Sequence, residues 1–401
     1  MLSACKQSDN STIKVGILHS LTGTMAISEQ SVVDATLMAI EELNAQGGVL
    51  GNQIEPILID GKSDWPTFAK GAQALIQDHQ VSVIFGCWTS ASRKMVKPVV
   101  EKLDSLLFYP VQYEGLESSP NIIYTGAAPN QQITPAVKWS VDNIGKRVFL
   151  AASDYVFPRA ANTLIHKQIH ALDAEVVGEY YIPLGHKNVD AMIDAIALSQ
   201  PDVILNTING DSNLTFFREL SQRGIETPVM SFSIAEDELQ HLDLKTMVGH
   251  YSAWNYFQSL NTPENRRFVT RFKQAYGKSR TTNASMEAGY LGVYLWAKAV
   301  QQARTTESTS VREALKGATL DSPEGNVFIS GINNHLWKPF YIGQIQPNGQ
   351  FSIIWRQPKP IRPLPFPAYR SVSSWQKYLR TMYQSWDKSW AAPPLTAGAE
   401  I

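Results

Sequence analysis

The sequence has little charge, few cysteines and no long apolar run, and each shortage excludes a class of protein. Charged residues make up only 18% of the 401 residues, and 35 Lys and Arg are balanced by 36 Asp and Glu. A nucleic-acid-binding protein needs a basic excess and a membrane-surface protein needs a polybasic run, so we expect neither. No run of about 18 uncharged apolar residues occurs, which argues against a transmembrane helix.

Cysteine is also scarce, since Cys5 and Cys87 are the two in the chain. This number is too small for a disulfide framework. Cys5 follows one aliphatic and two small residues, as in a bacterial lipobox, although the charged and apolar segments of a signal peptide do not precede it. We predict residues 1–12 as lipobox and N-terminal tail with Cys5 as the lipidated residue, and a chance match is the alternative. Cys87 lies among apolar residues and is predicted to be buried and unreactive.

Motifs that would indicate a cofactor or a catalytic site are missing as well. No GxGxxG follows the first predicted strand, and neither a Walker lysine motif nor a GxSxG elbow occurs. His166 and His170 are four residues apart on a predicted helix, but no HExxH or nearby carboxylate pair completes a metal site. We therefore expect no cofactor, no metal and no enzymatic activity. Hydrolysis of an amide is the enzymatic alternative, which an assay for released ammonia would test.

The sequence does contain a regular alternation of short apolar strands and amphipathic helices. Such alternation predicts parallel βαβ units with helices on both faces of a sheet. The pattern runs once and then restarts, so we predict an α/β protein with two doubly wound lobes. The strands are predicted at 13–18, 54–59, 81–85 and 106–109, and then at 147–151, 175–180, 203–206 and 229–232. Helices are predicted between them, at 67–78, 95–103, 158–171, 188–198 and 212–223.

After residue 255 the order changes, with two helices at 263–276 and 284–303 and then further strands. The dipeptide Asn348-Gly349 predicts a hairpin turn between two of these strands. A chain that fills one lobe, then the other, and then returns to both must cross between them several times. We assign 13–127 plus 256–328 to the N-terminal lobe and 128–255 plus 329–360 to the C-terminal lobe. Residues 361–401 are rich in proline and are predicted to form an extended tail.

The loops that follow the predicted strands point to a ligand site. Parallel sheets bind ligands at the carboxyl ends of their strands. Here those loops combine aromatic rings with neutral hydroxyl and amide groups, a composition that suits a small, flat, neutral and polar ligand. Ser90 also begins a predicted helix, where free donors would meet a carbonyl oxygen. The candidate ligand-binding residues are Trp88, Ser90, Tyr109, Gln112, Asp154 and Tyr155.

Two of these candidates have an alternative structural role. Trp88 is also explained as a core residue. Asp154 is also explained as the cap of the helix predicted to begin near Pro158. The shared position of all the candidates at the same edge of both sheets favours the ligand site.

Four loops together resemble the urea and short-chain-amide branch of the type I periplasmic binding proteins. They are residues 86–94, 109–115, 153–159 and 206–213, and the resemblance extends from about residue 13 to 363. It implies two Rossmann-like lobes joined by three crossings that close on a ligand by hinge motion. It also implies the permease and ATPase subunits of an ABC importer as partners, and a location in the periplasm or on the outer face of the cytoplasmic membrane.

The resemblance also suggests the ligand. In the amide-sensing members, Tyr stands at the position of Trp88 and Pro at the position of Gln112. The residues found here, Trp and Gln, look like those of the urea-binding proteins. Urea has two NH₂ groups where acetamide has one, so its site needs additional acceptors, which Gln112 and Asp154 would supply. The expected ligand is therefore urea or a short-chain amide. The alternative is a cytoplasmic amide sensor that regulates transcription through a protein partner.

Overall fold

The computed structural model describes residues 12–393. Cys5 and the predicted lipobox therefore lie outside the described residues. The chain forms two α/β lobes and a C-terminal segment that runs over both. The predicted fold class is confirmed by this architecture.

The first lobe is built around a parallel sheet whose strand order is β2-β1-β3-β4-β5. Its strands are buried because helices cover both faces. The elements are β1 (Ile13–His19), α1 (Ala26–Ala45), β2 (Ile54–Asp60), α2 (Trp65–Gln77), β3 (Ile84–Gly86), α3 (Ser90–Lys102), β4 (Leu107–Tyr109) and β5 (Ile122–Tyr124). Local sequence sets their ends. Asp64, for example, caps α2 by accepting from the Thr67 amide at 2.9 Å, with Pro66 in the first turn.

The second lobe begins after the first crossing and again alternates helix and strand. Its elements are α4 (Ile133–Asn143), β6 (Arg147–Ser153), α5 (Val156–Ala171), β7 (Glu175–Ile182), α6 (Asp190–Ser199), β8 (Val203–Thr207), α7 (Ser212–Gln222), β9 (Val229–Ser231), α8 (Glu236–Leu239), α9 (Leu244–Met247) and β10 (Tyr251–Trp254). The strands β7, β6, β8, β9 and β10 pair in this order, all parallel.

The rest of the chain returns to the first lobe and then to the second. It forms α10 (Pro263–Tyr276), α11 (Ala284–Ala303), α12 (Ser308–Leu315), β11 (Thr319–Ser322), β12 (Gly325–Ile329), β13 (Leu336–Trp337), β14 (Tyr341–Ile345), β15 (Phe351–Arg356) and α13 (Val372–Ser385). β14 and β15 add an antiparallel hairpin beside β10, with the predicted turn at Gly349, whose φ is 72°. A small antiparallel sheet of β11, β12 and β13 packs with the first lobe, so this lobe extends past residue 328.

Three segments of the described chain connect the lobes, at 125–132, 255–262 and 338–340. They are bound to one another. The side-chain amide of Asn255 donates to the carbonyl oxygens of Gln131, at 3.1 Å, and of Pro339. The ammonium of Lys338 donates to the Thr125 carbonyl oxygen at 2.8 Å. The hinge is therefore one hydrogen-bonded unit.

The predicted extended tail is wrong over residues 372–385, which form α13. Ser371 caps this helix by accepting from the Ser374 amide at 3.2 Å. The side chain of Trp375, in the first turns of the helix, is fully buried. The prolines at 358–367 favoured the prediction of an extended tail, but an amphipathic helix begins after them. Between residues 12 and 393, no helix combines the length and the apolarity needed to cross a bilayer.

Candidate ligand-binding site

The carboxyl ends of the two parallel sheets face each other, and the lobes are in direct contact there. From α1, Ser28 donates to Glu238 at 2.7 Å and Ser31 donates to Asp237 at 2.6 Å, both across the lobe boundary. Gln112, after β4, donates to the Phe232 carbonyl oxygen of the second lobe at 2.8 Å. The clamp is therefore closed.

The predicted aromatic residues are buried in the closed clamp. Trp88, Tyr109 and Tyr155 have at most 3% of their surface exposed. The Tyr109 hydroxyl donates to the Trp88 carbonyl oxygen, which fixes the loop after β3. Burial, followed by the nearby Tyr109 and Glu114, raises the pKa of Tyr155 well above its ordinary value. These groups come from both lobes, so the structure brings them together at the lobe boundary.

The start of α3 offers backbone donors. Thr89 caps the helix by accepting from the Ser92 amide at 3.1 Å, and its carbonyl oxygen accepts from the Arg93 amide. Among residues 12–393, the first two amides of the helix, those of Ser90 and Ala91, have no acceptor. The Ser90 hydroxyl, expected to donate to a ligand, donates instead to Glu114 and accepts from Arg93 at 3.1 Å. Ser90 thus offers its amide rather than its hydroxyl hydrogen.

An ionic cluster lies directly behind Ser90. We call Arg93, Lys94, Glu114 and Glu117 the Arg93 cluster. Arg93 donates to Glu117 at 2.9 Å and to Glu114 at 3.2 Å, and Lys94 pairs with the same two carboxylates at 3.0 and 3.2 Å. Burial alone would raise the pKa of Glu117, but Arg93 and Lys94 hold it well below its usual range. Two cations and two carboxylates balance, so the cluster offers no free charge to a ligand.

Several buried acceptor oxygens have no partner among residues 12–393, and two of them belong to Gln112 and Glu29. The Gln112 amide nitrogen donates to the Phe232 carbonyl oxygen. The Gln112 Oε1 has no hydrogen bond to any residue in 12–393. The fully buried Glu29, in the first turn of α1, accepts through Oε2 from the Ser20 amide at 2.8 Å and contacts His19 Nδ1 at 2.9 Å. Its Oε1 is likewise unpaired within the described residues. After burial, Tyr109 and Glu114, the charge of Glu29 also raises the pKa of Tyr155 in the facing lobe.

Sequence reasoning missed Glu29. An acidic residue in the first turn of the helix after the first strand was the available signal, because that turn lies at the ligand edge of the sheet. Cys87 was predicted correctly as a buried residue, and burial raises the pKa of its thiol.

Asp154 requires a correction. Both of its carboxylate oxygens accept from Arg159, at 2.7 and 2.9 Å. Tyr155, rather than Asp154, is the N-terminal cap residue of α5, and no side chain caps that helix. The alternative role of Asp154 as the cap is therefore wrong. Its carboxylate is paired with Arg159, and its contact with a ligand stays a prediction.

Comparison with known proteins agrees with this geometry. The model of a family described as periplasmic binding protein domain matches residues 13–372. The Leu/Ile/Val-binding protein homolog 6 of Brucella melitensis is 21% identical over 346 residues, which cover 83% of this chain and 87% of that protein. A segment of 122 residues is 39% identical to limonene hydroxylase of Geobacillus stearothermophilus, but it covers 30% of this chain and only 22% of that protein.

A solved structure shares the fold. The solute-binding protein of an ABC transporter from R. palustris, in complex with 4-hydroxybenzoate, superposes with a TM-score of 0.81. It is 23% identical, and the match covers 88% of this chain and 98% of that chain. The chain has the two lobes and the hinge of such proteins, and the family model matches nearly its whole length. It therefore belongs to the periplasmic binding protein family and is a solute-binding protein rather than an enzyme.

Proposed function

We propose that the protein captures urea, or a short-chain amide, between its lobes and delivers it to the permease and ATPase subunits of an ABC importer. Membership in the family implies an extracytoplasmic location, and lipidation of Cys5 stays a prediction. The observation that carries the substrate proposal is that Glu29 and Gln112, which both follow strands of the first lobe at its ligand edge, each have a buried acceptor oxygen without a partner in residues 12–393.

Unpaired buried acceptors favour a ligand with many donors. Leaving such an oxygen unsatisfied costs about 1–3 kcal/mol, so a ligand that fills both is strongly preferred. Urea carries four N–H donors on two nitrogens and a single carbonyl oxygen. In our proposal its NH₂ groups donate to Glu29 and Gln112, and its oxygen accepts from the amides of Ser90 and Ala91. The positive end of the α3 dipole favours an oxygen at this place.

The charge at the site disfavours an anion. The names of the compared proteins refer to branched-chain amino acids and to 4-hydroxybenzoate, all of which carry a carboxylate. Here Arg93 and Lys94 are already paired with Glu114 and Glu117. A ligand carboxylate would therefore lie near the Glu29 carboxylate, and the Arg93 cluster would offer no free cation to balance the two charges. Two like charges in a buried site repel each other, so binding of an anion is unfavourable.

The aromatic residues would supply the remaining contacts. Rings of Trp88, Tyr109 and Tyr155 are suited to cover a planar ligand of four heavy atoms. At the ceiling of about −1.5 kcal/mol per atom, urea would bind with about −6 kcal/mol, or tens of micromolar. Tighter binding would mean that contacts between the lobes add to those of the ligand.

The proposal is tested by calorimetry with urea, acetamide, formamide, leucine and 4-hydroxybenzoate. We expect urea to bind at least about tenfold more tightly than acetamide, since acetamide lacks one NH₂ group. We expect no binding of 4-hydroxybenzoate. Tighter binding of leucine or 4-hydroxybenzoate than of urea would refute the substrate and leave the family unaffected.

A matched pair of variants tests the role of Glu29. Glu29→Gln replaces the unpaired carboxylate, and we expect urea affinity to fall by about 10- to 100-fold, the range for a hydrogen bond to a charged group. Glu42→Gln is the control, because Glu42 is also a buried glutamate of α1 but binds Tyr290 and Tyr294 away from the cleft. Equal affinities in the two variants would remove Glu29 from the site.

A further inference from the structure

The end of the described chain returns to the lobe boundary. We call residues 386–393 the C-terminal strap. The Trp390 carbonyl oxygen accepts from the Val156 amide at 2.9 Å, and the Ala392 amide donates to the Asp154 carbonyl oxygen at 3.1 Å. Ala391 lies opposite Tyr155 in an antiparallel bridge. The strap therefore pairs with the backbone segment that carries the ligand-site tyrosine of the second lobe.

The strap is anchored to the second lobe through α13. The hydroxyls of Tyr378 and Thr163, a residue of α5, are hydrogen-bonded at 2.9 Å. Trp375 is fully buried in an apolar cluster that is formed mainly by the second lobe and also includes Ala91 and Leu116 of the first. Before the helix, the Pro365 carbonyl oxygen accepts from the Leu116 amide of the first lobe at 2.8 Å, whereas the hydrogen bonds of the helix and the strap are to the second lobe. We expect the strap to move with the second lobe when the clamp opens.

One side chain of the strap also contacts the first lobe. The Trp390 indole lies against the Lys94 ammonium, which is 5.1 Å from the ring centroid. The indole also packs against Tyr383, with ring centroids 4.6 Å apart. Lys94 belongs to the Arg93 cluster that holds Ser90. Trp390 thus contacts the ligand-binding segments of both lobes, and we expect its contact with Lys94 to be lost when the lobes separate.

We propose that the C-terminal strap positions Tyr155 and retains the bound ligand, with Trp390 as the positioning residue. A contact made only in the closed state adds to the preference for that state, so it slows opening and release. The proposal depends on the proposed function only in using urea as the probe. The family match ends at residue 372, before the strap begins.

The test is stopped-flow kinetics of urea binding to the full chain. Trp390→Ala should raise the dissociation rate by about tenfold and change the association rate little, as expected for loss of a partly desolvated cation–π contact. Trp390→Phe keeps an aromatic ring over Lys94 and should recover most of the loss. Trp386→Ala is the control, because Trp386 lies on the same strap before the contact with Lys94. Circular dichroism would establish that each variant is folded.

A second readout needs no ligand. Spin labels on cysteines introduced at the exposed positions Ile332 and Leu198, with Cys5 replaced by Ala, would report the distance between the lobes. Trp390→Ala should shift this distance to larger values than in the unsubstituted protein. An unchanged dissociation rate, or an equal loss in Trp390→Phe, would overturn the proposal. If urea does not bind the unsubstituted protein, the urea assignment is wrong. In that case, an unchanged distance between the lobes in Trp390→Ala would overturn the proposed role of the strap.

Discussion

Two groups of buried carboxylates lie near the cleft, and they have opposite properties. Glu114 and Glu117 of the Arg93 cluster are each paired with Arg93 and Lys94. Glu236, Asp237 and Glu238 of α8 are equally buried, but among residues 12–393 no ion pair joins them to a cation within 4.0 Å. Burial raises the pKa of Glu236 to about 8 and that of Glu238 to about 7.

The two groups are buried to the same extent, so the presence or absence of a cationic partner explains the difference in their pKa values. The Arg93 cluster lies within one lobe and remains intact whether the clamp is open or closed. The α8 carboxylates instead accept from Ser28 and Ser31 of the other lobe, and opening would return them to water. The first group is thus a permanent support for the ligand site, and the second is a closure contact that responds to protonation.

The largest effect should come from breaking the Arg93 cluster. Arg93→Met leaves Glu114 and Glu117 with Lys94 alone, and we expect the free energy of unfolding to fall by about 3–5 kcal/mol. Guanidinium chloride should be the denaturant, because urea is the proposed ligand. Lys138→Met is the control, since it removes an exposed pair with Asp142 and should change stability by less than about 0.5 kcal/mol. A small effect in Arg93→Met would mean that the cluster is not a support.

The next effect concerns pH. The pKa values of Glu236 and Glu238 are higher in the folded chain than the ordinary 4.5, so the folded state binds more protons than the unfolded state. Their contribution to stability is complete below pH 4.5 and is lost as the pH rises through about 7 and 8. From pH 7 to 9, we expect the free energy of unfolding to fall by about 2 kcal/mol.

Substitution identifies the source of this pH dependence. Glu236 is held by the Gln258 amide at 2.6 Å, and Asp237 faces Arg280, His241 and Asp34. The double variant Glu236→Gln, Glu238→Gln removes both titrating groups and should flatten the dependence between pH 7 and 9. If the free energy of unfolding of the double variant still falls between pH 7 and 9, other groups cause the pH dependence.

The smallest effect should come from a single hydroxyl at the closure contact. Ser31→Ala removes the hydrogen bond to Asp237, which is worth about 1 kcal/mol, so urea affinity should fall by about fivefold. Thr36→Val is the control, because the Thr36 hydroxyl bonds to the Val32 carbonyl oxygen within α1. Calorimetry of both variants would measure the difference, and identical affinities would show that this contact does not favour closure.

Much of the fold was predictable because local patterns decide it. The helices at 263–276 and 284–303 have the predicted bounds, since each is long and begins at a clear signal, Pro263 or Asn283. β5 was missed because three buried residues carry no periodicity. The helix α13 was missed because the prolines before it suggested an irregular tail.

The site was predictable to the level of the sheet edge but not to the level of single hydrogen bonds. The loops after β3 and β4 meet because these strands are neighbours in one sheet. The loop after β6 belongs to the other lobe and meets them because the clamp is closed. The partners of Ser90 and Asp154 depend on Glu114 and Arg159, and spacing along the chain does not reveal which pair will form. Direct ligand contact by Trp88, Tyr109 and Tyr155 stays a prediction, and a folded Trp88→Ala variant with unchanged urea affinity would contradict it for Trp88.

The hydrogen bonds at Asn255 have a consequence for how the lobes move. One side-chain amide holds the first and third connecting segments to the second, so none of the three can bend alone. Sliding of one lobe past the other would stretch these bonds, whereas rotation about an axis near Asn255 leaves them intact. We therefore expect the lobes to open by rotation about this hinge rather than by sliding.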